Sequence, residues 1–125
     1  MSYEDFTKMS VWQLAFDLLL MIYKETKTFP PEEKFVLVSD MRRAANSITH
    51  NIAEGFGRYE SRDKTRFYKI ARGSSYELIS QPLISQKLEY IKNYASGNKI
   101  IEQCKGIIGE LNAIIKTIET TQPSP

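Results

Sequence analysis

The chain has one cysteine and one histidine in 125 residues, and these two shortages exclude most site chemistry. Cys104 cannot close an internal disulfide, and Met1-Ser-Tyr-Glu-Asp-Phe6 has two acids where an export signal needs an apolar stretch. Together these point to a reducing, cytoplasmic setting. Di-metal sites in helical bundles use repeated Glu-x-x-His and inward carboxylates. With one His there is no such repeat, so no metal site or cofactor is expected. Ser74 and Ser75 have no base and orienting acid to make a nucleophile of either. Gly55-Phe56-Gly57 lacks the preceding strand and the following Lys-Ser/Thr of a phosphate loop. The longest apolar run, Leu18 to Tyr23, is far too short for a membrane span. Strand-like alternation, internal repeats and low-complexity tracts are missing too. No catalytic residue and no small-molecule substrate is therefore assigned.

What is present is helical periodicity. At this length one domain, 1–125, builds one core without a staple. The ordered part is expected over about 8–121, with 122–125 frayed. The first helix is predicted at about 11–27. Ser10 is its expected N-cap, with Gln13 completing a capping box. Val11, Leu14, Ala15, Leu18 and Ile22 form its stripe, widened by Trp12, Phe16 and Leu19. Pro30 and Pro31 break it, and Pro31 suits the first turn of a second helix over 31–56. That helix, roughly 38 Å long, carries a seam of Val38, Met41, Ala45, Ile48, Ile52 and Phe56, with Gly55 and Gly57 bracketing its end as a cap would.

The third helix is predicted over 62–91 with Ser61 as N-cap. Its buried side is read as Phe67, Ile70, Ala71, Ser74, Leu78, Gln81, Leu88 and Ile91. Pro82 predicts a kink. The fourth runs from 96 or 97 to 121 on a core line of Ile101, Cys104, Ile108, Leu111, Ile115 and Ile118, widened by Ile100, Ile107 and Ile114. Cys104 reads as a small buried hydrophobe. Gly106 and Gly109 cost about 1 kcal/mol each in a helix, which close approach of another helix would justify. Four amphipathic helices on short loops pack as an all-α, antiparallel up-down-up-down bundle.

Charge is unevenly spread. Residues 42–72 hold eight Lys/Arg against three acids, while the rest of the chain holds nine against twelve. Arg62, Arg66 and Lys69 share one stripe of the third helix with Arg72 at its edge, opposite Phe67, Ile70 and Ser74. Arg43 and Arg58 add to the cluster, and Tyr59, Tyr68 and Tyr76 offer stacking surfaces beside it. Clustered cations make a footprint for an anionic partner; a solvated corner is the other reading. On the second helix Arg43, Ser47, His50 and Glu54 form an outward stripe, with His50 and Glu54 spaced to pair. Asn51, Glu54, Arg72, Ser74 and Glu77 read as a polar network tying the second and third helices, or as ligand contacts.

Two words, Ala44-Ala-Asn-Ser-Ile-Thr-His-Asn-Ile-Ala-Glu-Gly-Phe-Gly-Arg58 and Phe67-Tyr-Lys-Ile-Ala-Arg-Gly-Ser-Ser-Tyr-Glu-Leu78, carry a family resemblance. Val11-Trp-Gln-Leu-Ala15 and Phe29-Pro-Pro-Glu-Glu-Lys-Phe35 agree with it. Over roughly residues 8–118 the chain resembles the four-helix-bundle proteins encoded in intervening sequences of bacterial large-subunit rRNA genes, often labelled ribosomal proteins. The resemblance implies a left-handed bundle and a ring-like homopentamer. It also implies kinship of fold with the accessory protein of diversity-generating retroelements, which partners a reverse transcriptase and contacts nucleic acid. Two functional expectations follow. One is a non-enzymatic homo-oligomer binding RNA or a nucleoprotein through 42–72. The alternative is a structural or protein-interaction module with no nucleic acid.

Overall fold

The computed structural model describes residues 5–121, and the expected frayed tail lies outside them. Four helices account for the fold: α1 (Ser10–Thr26), α2 (Leu37–Gly57), α3 (Ser61–Lys87) and α4 (Tyr94–Thr121). Single 3-10 turns at Asp5–Lys8 and Pro31–Glu33 precede α1 and α2. Among the described residues there is no strand. No helix there is long and apolar enough to cross a membrane.

Neighbouring helices run in opposite directions. Arg43 meets Glu77 and Ser47 meets Ser74, so α3 descends as α2 rises. Arg72 to Asn112 and Lys69 to Glu119 set the same relation for α3 and α4. Gln103 Nε2 donates to Leu14 O and ties α4 back to α1. Between the helices lie Leu18, Ile22, Met41, Ile48, Ile52, Leu78, Ile100, Ile107 and Leu111, all with essentially no exposure. Cys104 sits among them.

The helix ends differ from expectation. Ser10 lies inside α1: its hydroxyl donates to Glu110, and Gln13 Nε2 donates to Thr7 O. Met9 takes the N-cap position without a side-chain bond, so there is no capping box. Glu60, not Ser61, precedes α3, also without a side-chain cap. The expected 31–56 helix starts late. Proline permits a 3-10 turn at 31–33, but Val36 (φ −118°, ψ −93°) leaves helical backbone before Leu37. The third helix stops at Lys87 because Glu89 adopts φ 66°, a left-handed conformation that ends a helix. It runs on through Pro82 as one element. The fourth begins at Tyr94, where Asn93 Oδ1 accepts from Ala95 N–H.

Stripe positions held for α1, α2 and α4, except that Trp12, Leu14, Leu19, Phe56, Ile101, Ile114 and Ile118 are only partly buried and Phe16 is exposed. The third helix buries Ala71, Leu78 and Gln81 as predicted, with Ile91 buried beyond its end, but the rest of its inner side differs. It buries Thr65, Tyr68, Ala71, Ser75, Leu78, Gln81, Pro82 and Ser85. Ile70 and Leu88 are exposed, and Phe67 and Ser74 are half-buried. Small residues on the inner face let α3 sit close to its neighbours. At Gly55 a Cβ would stand 2.7 Å from the Tyr68 ring, and at Gly97 one would overlap the Gln86 side-chain amide.

Gly106 and Gly109 do not serve such an approach: a Cβ at either meets nothing within 4 Å. Gly106→Ala and Gly109→Ala should therefore each stabilise the fold by about 1 kcal/mol through helix propensity. Gly55→Ala gains the same propensity but overpacks a rigid ring, at a cost of about 1–3 kcal/mol, and should destabilise. Denaturant midpoints of the three variants check the opposite signs.

Candidate nucleic-acid interface

The positive segment does not form one positive surface. Most of its cations turn toward acids or carbonyls that the fold brings to them. Arg43 Nη2 lies 2.6 Å from Glu77 Oε1, and Lys69 Nζ lies 2.8 Å from Glu119 Oε2. Arg58 pairs within its helix end with Glu54 at 2.8 Å, and Arg66 stands 3.8 Å from Asp63. Arg72 donates to Asn112 Oδ1 on α4. Arg42 donates to Thr26 Oγ1 and lies over the Tyr23 ring. Lys64 Nζ donates to the carbonyls of Gly55 and Phe56, closing the end of α2. Burial lowers its amine below the usual lysine value. The paired side chains remain open to solvent, so each ion pair is worth about 0–1 kcal/mol.

The predicted stripe of Arg62, Arg66 and Lys69 therefore divides. Lys69 reaches across to α4, whereas Arg66 stays at the α2–α3 corner. Tyr68 is buried, 3% exposed, and leaves the set of stacking surfaces. Tyr59 is 94% exposed in the turn between Arg58 and Arg62.

Around Phe67 the corner is organised. The guanidinium carbon of Arg58 lies 4.6 Å from the ring centroid and that of Arg66 lies 4.4 Å from it. One half-buried phenylalanine thus positions two planar cations, each attracted to the ring's negative face. Exposed Arg62 completes a corner of three arginines and one bare tyrosine. Planar N–H forks recognise phosphate oxygens bidentately, and an exposed aromatic offers a face to an unstacked base. Sequence spacing placed Phe67 in the core and so missed its part here. The alternation Arg58…Arg66-Phe67 was the available signal.

The expected α2–α3 network is partial. Asn51 Nδ2 donates to Ser47 O and Oγ, and Ser47 and Ser74 share a 2.8 Å hydrogen bond. Glu77 joins through Arg43. Glu54 turns to Arg58 and Arg72 to α4, so neither belongs to it. His50 and Glu54 do not pair. His50 lies with Trp12, Asn46 and Asn51 along a shallow groove of about 610 Å³ on the outer side of α2. Among the described residues no three His, Cys, Asp or Glu side chains gather as a metal ion requires. Burial pushes the Cys104 thiol up to about 12.

The sequence pattern of the 23S rRNA-intervening sequence protein family matches residues 7–113. No curated protein matches the chain. A crystal structure of a protein of unknown function from the S23 ribosomal protein family of Bacteroides thetaiotaomicron is similar in fold. Its TM-score is 0.77 at 24% identity, covering 85% of this chain and 95% of that one.

Proposed function

The chain belongs to the 23S rRNA-intervening sequence protein family, and from that premise we propose that it acts by binding rather than catalysis, as a self-associating cytoplasmic bundle whose α2–α3 corner contacts RNA. The observation that carries the RNA reading is the pair of guanidiniums held on Phe67, with exposed Tyr59 and Arg62 beside them. A solvated corner has no need of a ring that orders two like charges together. Self-association, as a homopentamer by family likeness, is supported by the many large apolar side chains left exposed on the single chain.

Binding of a structured hairpin, a single strand and a duplex DNA across a salt series tests the RNA reading. Each phosphate contact contributes a slope of about −0.7 for a single strand. Replacing Arg62 and Arg66 by Glu should reduce the slope by roughly 1.4 and weaken binding at constant helicity. An unchanged slope overturns the reading.

The ion pairs favour a second reading. With Arg43, Lys69, Arg58 and Arg66 each facing a carboxylate, the bundle would serve only as a protein-interaction module. Its mark would be weak RNA binding, blind to ligand type, that is lost at physiological salt.

A further inference from the structure

We infer that the outer side of α2 carries a second subsite for the same RNA, one that reads an unpaired base bearing an exocyclic amine. The inference deepens the RNA reading above and rests on it.

The groove there, about 610 Å³, is large enough for a base with its sugar. Its polar groups are unevenly used. The donors are spent within the fold: Arg43 on Glu77, Thr49 Oγ1 on Asn46 O, and the Ser47 hydroxyl on the bond it shares with Ser74. The amide acceptors are not. Asn46 Nδ2 donates to Arg42 O and to Tyr23 Oη, each at 2.9 Å. Asn51 Nδ2 donates to Ser47 O at 2.8 Å. A backbone carbonyl only accepts, so it fixes which end of each amide faces it. Both Oδ1 atoms are left over, and among the described residues nothing donates to either. Asn51 is only 8% exposed. Its Oδ1 is nevertheless not sealed in, because Gln81 Oε1 is the one fully buried side-chain acceptor without a partner among the described residues. A nine-tenths buried amide thus keeps an acceptor open beside the groove it lines. His50, between the two amides in sequence, has no partner among the described residues either.

Open acceptors disfavour phosphate and carbonyl oxygens and take N–H donors. An exocyclic amine presents two such hydrogens, whereas uracil has one ring N–H between two carbonyls. The free imidazole N–H serves the ring acceptor beside the amine. Trp12 supplies an aromatic wall. Its ring stacks on Phe16 at 5.2 Å and 8° and is braced edge-on by Phe6 at 5.4 Å, so it is ordered before a base arrives.

Bare helix joins this groove to the arginine corner. On the outer stripe of α2, Asn46 and His50 are followed by Ala53 and Gly57, and then by Arg58. Gly57 has no positive φ, and a Cβ on it would meet nothing within 4 Å. Neither a turn nor packing requires glycine there; its effect is to open the backbone to close approach. By helix rise His50 lies about 12 Å from Arg58, roughly three to four nucleotides of stacked strand. A strand with its phosphates on Arg58, Arg62 and Arg66 therefore carries a base over the groove.

Fluorescence titration with short oligouridine strands, one central position being adenosine, cytidine, inosine or uridine, tests the assignment. Inosine keeps the purine stack and replaces the amine by a carbonyl. The adenosine and cytidine strands should bind about tenfold tighter than the other two, the discrimination of one well-placed base contact. They should also quench Trp12, the only tryptophan in the chain. With exposed Asn46 and His50 both replaced by Ala, the four strands should bind alike at the wild-type salt slope. Replacing Arg62 and Arg66 by Glu should weaken all four and keep their order. If no strand binds wild type, or the corner variant binds every strand undiminished, the RNA reading fails and this inference with it. If the corner variant weakens binding but wild type treats adenosine and inosine alike, or the preference survives in the groove variant, or Trp12 emission does not change, only this inference is overturned. If the groove variant unfolds, the adenosine–inosine difference and the Trp12 signal in wild type decide.

Discussion

Ile100→Ala should lower the unfolding free energy by about 3 kcal/mol, and Ile101→Ala by no more than about 1 kcal/mol. The two side chains are chemically identical and adjacent on α4. Ile100 is 1% exposed inside the core cluster, whereas Ile101 is half-buried at its margin. Truncating the first removes buried methyls and leaves a cavity in the core that rigid neighbours cannot fill. Truncating the second removes surface that water already reaches. At roughly 4 °C of Tm per kcal/mol for a domain this size, the first variant should melt about 12 °C below wild type and the second only a few degrees below. Equal shifts would mean that α4 is rotated by half a residue spacing from the arrangement described.

That pair also marks how far periodicity carries. Ile101, Cys104, Ile108 and Leu111 recur at three and four, and so do Ile100, Cys104, Ile107 and Leu111. A broad apolar arc has no unique centre, and only the neighbours choose one. The ambiguity on α4 amounts to one residue. On α3 it shifts part of the face: Ala71, Leu78 and Gln81 lie inside as predicted, but Ser75 and Ser85 join them, small residues whose volume matters more than hydrophobicity where helices sit close. Hydropathy weighted Phe67, Ile70 and Leu88 instead, and these stand at the arginine corner, on the outer face and exposed just past the end of α3. The error therefore has one physical source. Apolar residues left at the surface look like core until packing is known.

The charge pattern misled for a related reason. Local counting sees partners only nearby in sequence, so Glu54 and Asp63 were visible but Glu77 and Glu119 were not assigned to Arg43 and Lys69. Folding brings those acids in from 34 and 50 residues away. What stays gathered of the 31-residue basic segment is the corner of Arg58, Arg62 and Arg66, two of which also face Glu54 and Asp63. Its organising element, Phe67, is an uncharged residue that no charge count includes.

Cys104 should be silent to thiol reagents in the native state and should make the fold sensitive to alkali. Burial against Leu and Ile side chains opposes the thiolate and raises the pKa from an ordinary 9.0 to about 12. At pH 8 the native thiolate fraction is then about 1,000-fold below that of the unfolded chain. Labelling should be slower by at least that factor and should be set by opening of the bundle. The linkage follows from the same shift. Below pH 9 both states hold the proton and the thiol contributes its full stability. Above it the unfolded chain releases the proton first, so stability falls by about 1.4 kcal/mol per pH unit until the native thiol ionises near pH 12. Tyr68, raised above its ordinary value by burial, acts in the same direction from about pH 10. Lys64, lowered by burial, opposes both. The difference between wild type and Cys104→Ala isolates the thiol, because the cavity cost does not titrate. Urea midpoints at successive pH values should show wild type more stable at neutral pH and the gap closing above pH 9. Parallel curves would mean that water reaches position 104 and that the centre of α4 opens in the native state.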